Sequence, residues 1–366
     1  MLELQFTFKK TIEKNVRVII GQFIHQHINQ YIQNMKFDKV FIISDKLVAK
    51  IYGQKITSII SYKYPTFLIK HSPFEKGKNF KSFEKIITQF FNYGGTSKSG
   101  IIALGGGTTG NIAGLAASVI YRGIRLVHIP TTLLSQLDSA PDVKNSINTP
   151  WVKNAIGTYK PPDLVIIDPF FLKTLKIREI RSGIAEAVKH GFAQDLKFIE
   201  FIASSSEKNK FRNIEILEKI IQRTIYLKIE HWKKTPSKWN EPIKIERLTH
   251  LGHTVGKILE IIDLDYLTHG EAISHGMVIE AYISFLLGLL DIKSVSCIKK
   301  TLEKLHLLYP LNQKYTIKKI LNLLYFSDSD PPIFALLRKL GNPNTISTTV
   351  PKITMKKSLE WYFKEK

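Results

Sequence analysis

Cysteine is nearly absent: Cys297 is the single one in 366 residues, so no intrachain disulfide and no cysteine-built metal cluster can form. Long apolar runs are missing too. No stretch approaches the ~20 residues that cross a bilayer, and Met1-Leu2-Glu3-Leu4-Gln5-Phe6 lacks the basic-then-apolar pattern of a secretory signal. These absences make a cytoplasmic protein with no membrane partner the expectation. There is no internal repeat and no long low-complexity tract. Acidic residues are scarce: 53 Lys and Arg stand against 31 Asp and Glu, a formal charge of +22. Lysine outnumbers arginine, and no dense basic run carries interleaved aromatics. The excess therefore reads first as compositional bias spread over solvated faces. Steering of a phosphorylated small molecule comes second, and nucleic acid a distant third.

What is present suffices for two domains and a substantial core. The first half alternates short apolar runs with amphipathic stretches. Val40–Ser44, Thr66–Ile69, Gly100–Leu104, Leu126–Ile129 and Leu164–Asp168 read as buried parallel strands, and Ser82–Tyr93 and Asn111–Tyr121 have helical spacing. That is a βαβ pattern. After Pro169 helical patterns dominate through Leu340 and strands are not expected. We place the boundary near Phe170–Thr174, giving an α/β dinucleotide-binding domain over 1–172 and an all-helical metal- and substrate-binding domain over 173–366. The stretches Lys234–Lys244 and Ser327–Pro332 read as loops.

Three residues sit in contexts that suit metal ligands: Glu186 in a helical Ala185-Glu186-Ala187-Val188-Lys189, His253 in Gly252-His253-Thr254, and His269 in Thr268-His269-Gly270-Glu271. Two imidazoles and one carboxylate form the set of a catalytic zinc site, which keeps one position open. Upstream, Leu104-Gly105-Gly106-Gly107-Thr108-Thr109-Gly110-Asn111 is a glycine-rich turn after an apolar run, suited to a pyrophosphate. A nucleotide site and an open metal site together point to redox chemistry on an alcohol.

An ordered series of motifs over roughly residues 35–290 resembles the sugar-phosphate cyclases of the 3-dehydroquinate synthase superfamily. It runs from Gly105-Gly106-Gly107-Thr108-Thr109-Gly110-Asn111-Ile112-Ala113-Gly114 through Tyr121-Arg122-Gly123, Ile129-Pro130-Thr131-Thr132, Asp138-Ser139, Lys144, Asn148 and Lys153-Asn154 to the three ligand contexts. The resemblance implies NAD and a divalent metal, zinc or cobalt first, in a homodimer acting on a phosphorylated sugar. The implied reaction is transient oxidation, β-elimination of phosphate, reduction by the same cofactor and intramolecular aldol closure. It places Asp45, Glu75, Lys78, Gly105, Gly106, Gly107, Asn111, Thr131, Thr132 and Lys153 around the cofactor. Lys144, Asn154 and Arg122 face the phosphate, with Arg122 reaching across the dimer interface. Lys153 and Lys189 meet substrate hydroxyls or enolate charge, Asp138 fixes a hydroxyl unless it caps a turn, and Lys228 binds substrate. Glu186, His253 and His269 hold the metal.

Departures from the pattern bear on the substrate. Asn111 stands where dehydroquinate synthases carry Asp, and Asp142-Val143-Lys144-Asn145-Ser146 replaces their Gly-Gly-Lys-Thr-Gly; both lean toward 2-deoxy-scyllo-inosose synthases. Glu246, with Arg247 one place off, occupies the position of an arginine that grips a substrate carboxylate. His250, three before His253, is an outer-sphere group, an acid/base or a tolerated change. Lys257 replaces a histidine and either restores a phosphate-facing charge, lost where Ser327-Asp328-Ser329 replaces Asp-Lys-Lys, or is a solvated lysine. The leading expectation is a 2-deoxy-scyllo-inosose synthase-like reaction on a hexose phosphate. The alternatives are 3-dehydroquinate synthase and a polyol dehydrogenase of the same fold.

Overall fold

The computed structural model describes residues 14–205, 211–234, 250–263, 266–326, 331–343 and 345–364. Its strands are β1 (Arg17–Ile20), β2 (Val40–Asp45), β3 (Thr66–His71), β4 (Gly100–Gly105), β5 (Arg125–Pro130), β6 (Lys144–Ile147), β7 (Ile156–Tyr159), β8 (Leu164–Ile167), β9 (Ile333–Leu337) and β10 (Thr345–Thr349). Six of them form one parallel sheet in the order β1-β8-β5-β4-β2-β3. The five runs expected to be strands are all in it. β4 and β8 are buried along their whole length, which is why they read as unbroken apolar runs rather than alternating ones.

Helices cover both faces. Phe80–Asn92 begins where the Asn79 side chain accepts a hydrogen bond from the Ser82 N–H, and Gly107–Val119 follows the glycine turn. Both start slightly earlier than their apolar periodicity suggests, because a cap sets the start of a helix and periodicity does not. The chain runs from β2 outward to β3 and then returns to the other side of β2 as β4. A crevice therefore opens at the carboxyl ends of β2 and β4, the switch point where open α/β sheets take ligands.

From Ile177 onward the chain is mainly helical. The helix His269–Leu286 is buried on nearly every side and packs against Ile177–Gln194, His253–Ile262, Ile292–Lys304 and Lys352–Lys364. One apolar cluster joins Leu133, Val165 and Leu172 to Ile184, Val255, Ile273 and Met277, so sheet and helices share a core. Strands do not vanish in this half. β9 and β10 pair as an antiparallel hairpin, a correction to the all-helical expectation; Ile333–Leu337 is an apolar run too short for periodicity to assign. The β6–β7 hairpin and β1 also escaped the sequence reading. Glu246, Arg247, residues 235–244 of one expected loop and 327–330 of the other lie outside the described residues.

Candidate active site

The three candidate metal ligands come together from three helices. Ile177–Gln194 carries Glu186, fully buried; His253 opens its own helix behind Gly252; and His269 opens another behind Thr268, whose side chain forms a capping box with Glu271. Gly270 permits the approach: a Cβ there would lie 2.1 Å from the Ser182 carbonyl oxygen, and its N–H donates to Ser182 Oγ at 2.9 Å. Glu186 Oε1 ends 3.4 Å from His253 Nε2 and 3.3 Å from His269 Nε2, and one donor atom from each residue lies within 4.8 Å of the others.

The donor chemistry fits a cation. His253 Nδ1 donates to the Leu251 carbonyl at 3.1 Å, so in the neutral ring Nε2 turns a lone pair toward the Glu186 carboxylate. Burial, then the Lys189 charge, hold this imidazole well below its ordinary pKa, so the ring stays neutral. Two electron-rich atoms at that spacing repel unless a positive charge lies between them. On the other side, burial pushes His269 down, but Glu260 and Glu186 outweigh it and lift the imidazole to about 10, so without an ion a proton supplies the positive charge there, and an ion would have to displace it. Glu260 Oε1 sits 3.3 Å from His269 Nδ1, the carboxylate–histidine arrangement that orients metal-bound imidazoles. Lys189, also buried, pairs with Glu186 Oε2 at 2.5 Å. The Glu186–Lys189 pair is thus an interior feature, not a surface bridge.

Asp138 meets a charge rather than a helix end. Lys228 Nζ donates to Asp138 Oδ1 at 2.6 Å and to its carbonyl at 2.7 Å, and lies 4.9 Å from the Trp232 ring centre. Burial pushes the Asp138 carboxyl up, but Lys228 wins and holds it near 2. Such a carboxyl contributes stability above its ordinary value of 3.8 and loses it as pH falls toward 2. Changing Lys228 to methionine is expected to raise the Asp138 carboxyl above 3.8, since burial remains when the cation is gone. Carbon-13 titration of the aspartate carboxyls reads this, and an unmoved resonance would assign the depression to another group.

A second polar cluster lies at the glycine turn. Gly106 caps Gly107–Val119 without a side chain, leaving first-turn N–H groups for an anion. Thr132 Cγ2 would be 3.0 Å from a Cβ at Gly106. Thr108 Oγ1 and Asn148 Nδ2 donate to the two oxygens of Glu75 at 3.1 and 2.8 Å. Ser146 Oγ is 3.0 Å from Asn111 Oδ1 and 2.9 Å from Asn154 Oδ1, and Asn154 Oδ1 also accepts from the buried Lys78. Burial lowers the Lys78 ammonium, Glu75 opposes that, and Lys153 adds to it. Glu260 acts electrostatically on Lys78 and Lys153 while touching His269, so it links the two clusters.

The remaining candidates divide. Asp45 lies at the carboxyl end of β2, where its side chain accepts from Leu47 and Val48 N–H. Thr131 is buried beside the turn, its N–H donating to the Gly105 carbonyl. Lys144 and Lys257 are exposed, and the His250 ring lies 6.2 Å from that of His253. Arg122 is exposed just beyond the far end of Gly107–Val119, about 20 Å along the helix from the glycine turn, so this chain does not bring it into its own cluster. Sequence reasoning missed Glu260 and Ser146. Glu260 was findable: seven residues after His253 returns to the same helix face.

Residues 68–182 match the family model described as 3-dehydroquinate synthase N-terminal, and residues 183–328 the one described as 3-dehydroquinate synthase C-terminal. The chain belongs to the 3-dehydroquinate synthase superfamily. It is a sugar-phosphate cyclase, which sets the polyol-dehydrogenase alternative aside. Among its relatives, a 3-dehydroquinate synthase of Thermodesulfovibrio yellowstonii is 39% identical over 277 residues, 75% of each chain. A 2-deoxy-scyllo-inosose synthase of Micromonospora echinospora is 30% identical over 84% of this chain and 79% of its own. A solved 2-deoxy-scyllo-inosose synthase complexed with carbaglucose-6-phosphate, NAD+ and Co2+ superposes with a TM-score of 0.86 at 27% identity, covering 95% of this chain and 96% of that one.

Proposed function

We propose that this cyclase holds NAD in the crevice between β2 and β4 and one divalent ion, zinc or cobalt, at Glu186, His253 and His269, and that it closes a hexose phosphate into a carbocycle as 2-deoxy-scyllo-inosose synthases do. The observation that carries the reading is the neutral His253 lone pair facing the Glu186 carboxylate, linked through Glu260 to the basic groups beside the glycine turn. When bound, the ion supplies Lewis acidity to a substrate hydroxyl and NAD takes up and returns a hydride. The chain's own residues bind and orient. Gly105, Gly106 and Gly107 keep side chains clear of a pyrophosphate, with Asp45, Glu75, Lys78, Asn111, Thr131, Thr132 and Lys153 around them. Lys189 offers a buried charge to enolate oxygen, and Asp138, kept ionised by Lys228, accepts a proton-side contact from a substrate hydroxyl. Lys144 and Asn154 take the phosphate.

Arg122 completes the phosphate site only from a second copy, because it lies far from this chain's own cluster; a homodimer is part of the proposal. So is the division into a nucleotide-binding part, 1–172, and a metal- and substrate-binding part, 173–366. The hexose reading is supported by Asn111 and by Asp142–Ser146, whose Ser146 hydroxyl joins Asn111 to Asn154. The second reading, 3-dehydroquinate synthase, is favoured by the higher identity to a relative of that name. Anaerobic incubation with NAD and metal over a panel of sugar phosphates, following phosphate release and the mass of the carbocycle, separates the two.

The cofactor part has its own test. Gly106→Val places a branched side chain against Thr132 and into the space of the phosphates. NAD affinity is expected to fall by about a hundredfold or more, the cost of a few kcal/mol. Product formed without NAD, or NADH accumulating in step with product, would point to different chemistry.

A further inference from the structure

Glu280 is fully buried in the helix His269–Leu286, in the otherwise apolar run Met277-Val278-Ile279-Glu280-Ala281. Its partners are backbone groups of another helix. Oε2 accepts from the Gly252 N–H at 2.7 Å and Oε1 from the Val255 N–H at 3.1 Å. These are first-turn donors of His253–Ile262, whose cap residue Gly252 supplies no side chain of its own. The two helices touch through backbone: a Cβ at Gly276 would lie 1.9 Å from the Gly252 carbonyl oxygen, and one at Gly252 2.6 Å from the Ile273 carbonyl oxygen, with Gly252 itself at φ +76°. Ile273, Gly276 and Glu280 recur at helical spacing and share a face with His269, about three turns earlier. One helix face thus begins with one imidazole of the triad and ends on the carboxyl group that grips the start of the helix bearing the other.

We propose that Glu280 is a positioning residue for the metal site: it caps the helix that begins at His253 from across the helix pair and so fixes where His253 Nε2 points relative to His269 and Glu186. The inference rests on the metal reading above. Burial pushes the Glu280 carboxyl up to about 8, against the pull of backbone donors at Val255, Gly252 and Thr254 and of Lys257, so an acid at this place is costly unless those donors face it. Gly252, the cap residue, offers these donors no side chain of its own. An amide cannot replace the group, because its NH2 end would meet a backbone N–H with no lone pair to offer.

The test uses the full chain without substrate, with Co2+ as probe. Affinity is read by competition against a chelator and geometry by the visible absorption of bound Co2+. Glu280→Gln is expected to weaken Co2+ binding about 10- to 100-fold, the range for residues that hold metal ligands in place, and to alter the visible bands, while NAD affinity stays at the wild-type value. Wild-type Co2+ affinity and spectrum in Glu280→Gln would overturn the proposal, even if thermal stability dropped, since that pattern marks a packing role only. Should the glutamine variant not fold, Glu280→Asp, which keeps the two acceptor oxygens of a carboxyl group but withdraws them by one methylene, is read by the same two outcomes. If wild-type protein binds no Co2+, or His253→Ala binds it equally well, the metal reading itself fails. Binding lost in His253→Ala but unchanged at Glu280 sinks this inference alone.

Discussion

His253→Ala is expected to empty most of the metal from the protein and to lower turnover by on the order of a thousandfold or more. A bound ion supplies several kcal/mol of charge stabilisation in such reactions, and each 1.4 kcal/mol is about tenfold in rate. The geometry sharpens the expectation. Glu186 already shares one oxygen with Lys189, and its other oxygen meets both imidazoles. Without His253 the ion would keep one imidazole and a carboxylate partly neutralised by a lysine. Metal analysis after dialysis and turnover with saturating NAD check the two halves separately. Full occupancy with full activity would remove the triad from the mechanism.

The second large effect concerns substrate choice. Glucose 6-phosphate is expected to be used with a catalytic efficiency roughly a hundredfold or more above that of the carboxylated heptulosonate phosphate, because an unpaired charge facing a bound carboxylate costs a few kcal/mol. The expectation rests on the resemblance, which sets Glu246, with Arg247 next to it, against a carboxylate-binding arginine and Lys257 against a site histidine one turn after His253. Lys257 is exposed, yet its charge reaches His253, Glu260 and Glu280, so it belongs to the electrostatics of the site whichever sugar enters. Side-by-side kcat/KM values on the two substrates decide. Efficient dehydroquinate formation would reverse the order and make 3-dehydroquinate synthase the activity.

The five parallel strands were legible because strands buried on both faces must be apolar throughout, as Gly100–Gly105 and Leu164–Ile167 are. β1 was not, because Arg17-Val18-Ile19-Ile20 is a short edge segment whose strand character comes from pairing with β8. Glu186, His253 and His269 were readable from local context, and the structure brings them within one ion's reach. Their supports were harder to see. Spacing puts Glu260 on the His253 face, but its contact with His269 and that of Glu280 with the Gly252 and Val255 N–H groups cross between helices, which spacing shows only after the helices are known to touch. The resemblance makes Lys228 a substrate ligand, and its pairing with Asp138 from a distant segment was not legible, because a lysine's partner is decided by what lies opposite it. The β9–β10 hairpin shows the same thing at the level of fold, since its short apolar run suits a strand or a helix equally until a partner is present.

The place of β1 also has a consequence for how the chain folds. Among the described residues it precedes every other strand and its register runs only along β8, Arg17 opposite Leu164 and Ile20 opposite Ile167, while β2 to β5 pair among themselves. On the ribosome, then, the earliest strand has no partner until the last strand of the sheet has emerged. Closing so long a loop is entropically costly and slow. The inner strands can zip first and leave β1 to dock on the finished β8 edge, a late step that covers the buried, wholly apolar β8 with a short strand and moves that margin of the sheet out to β1.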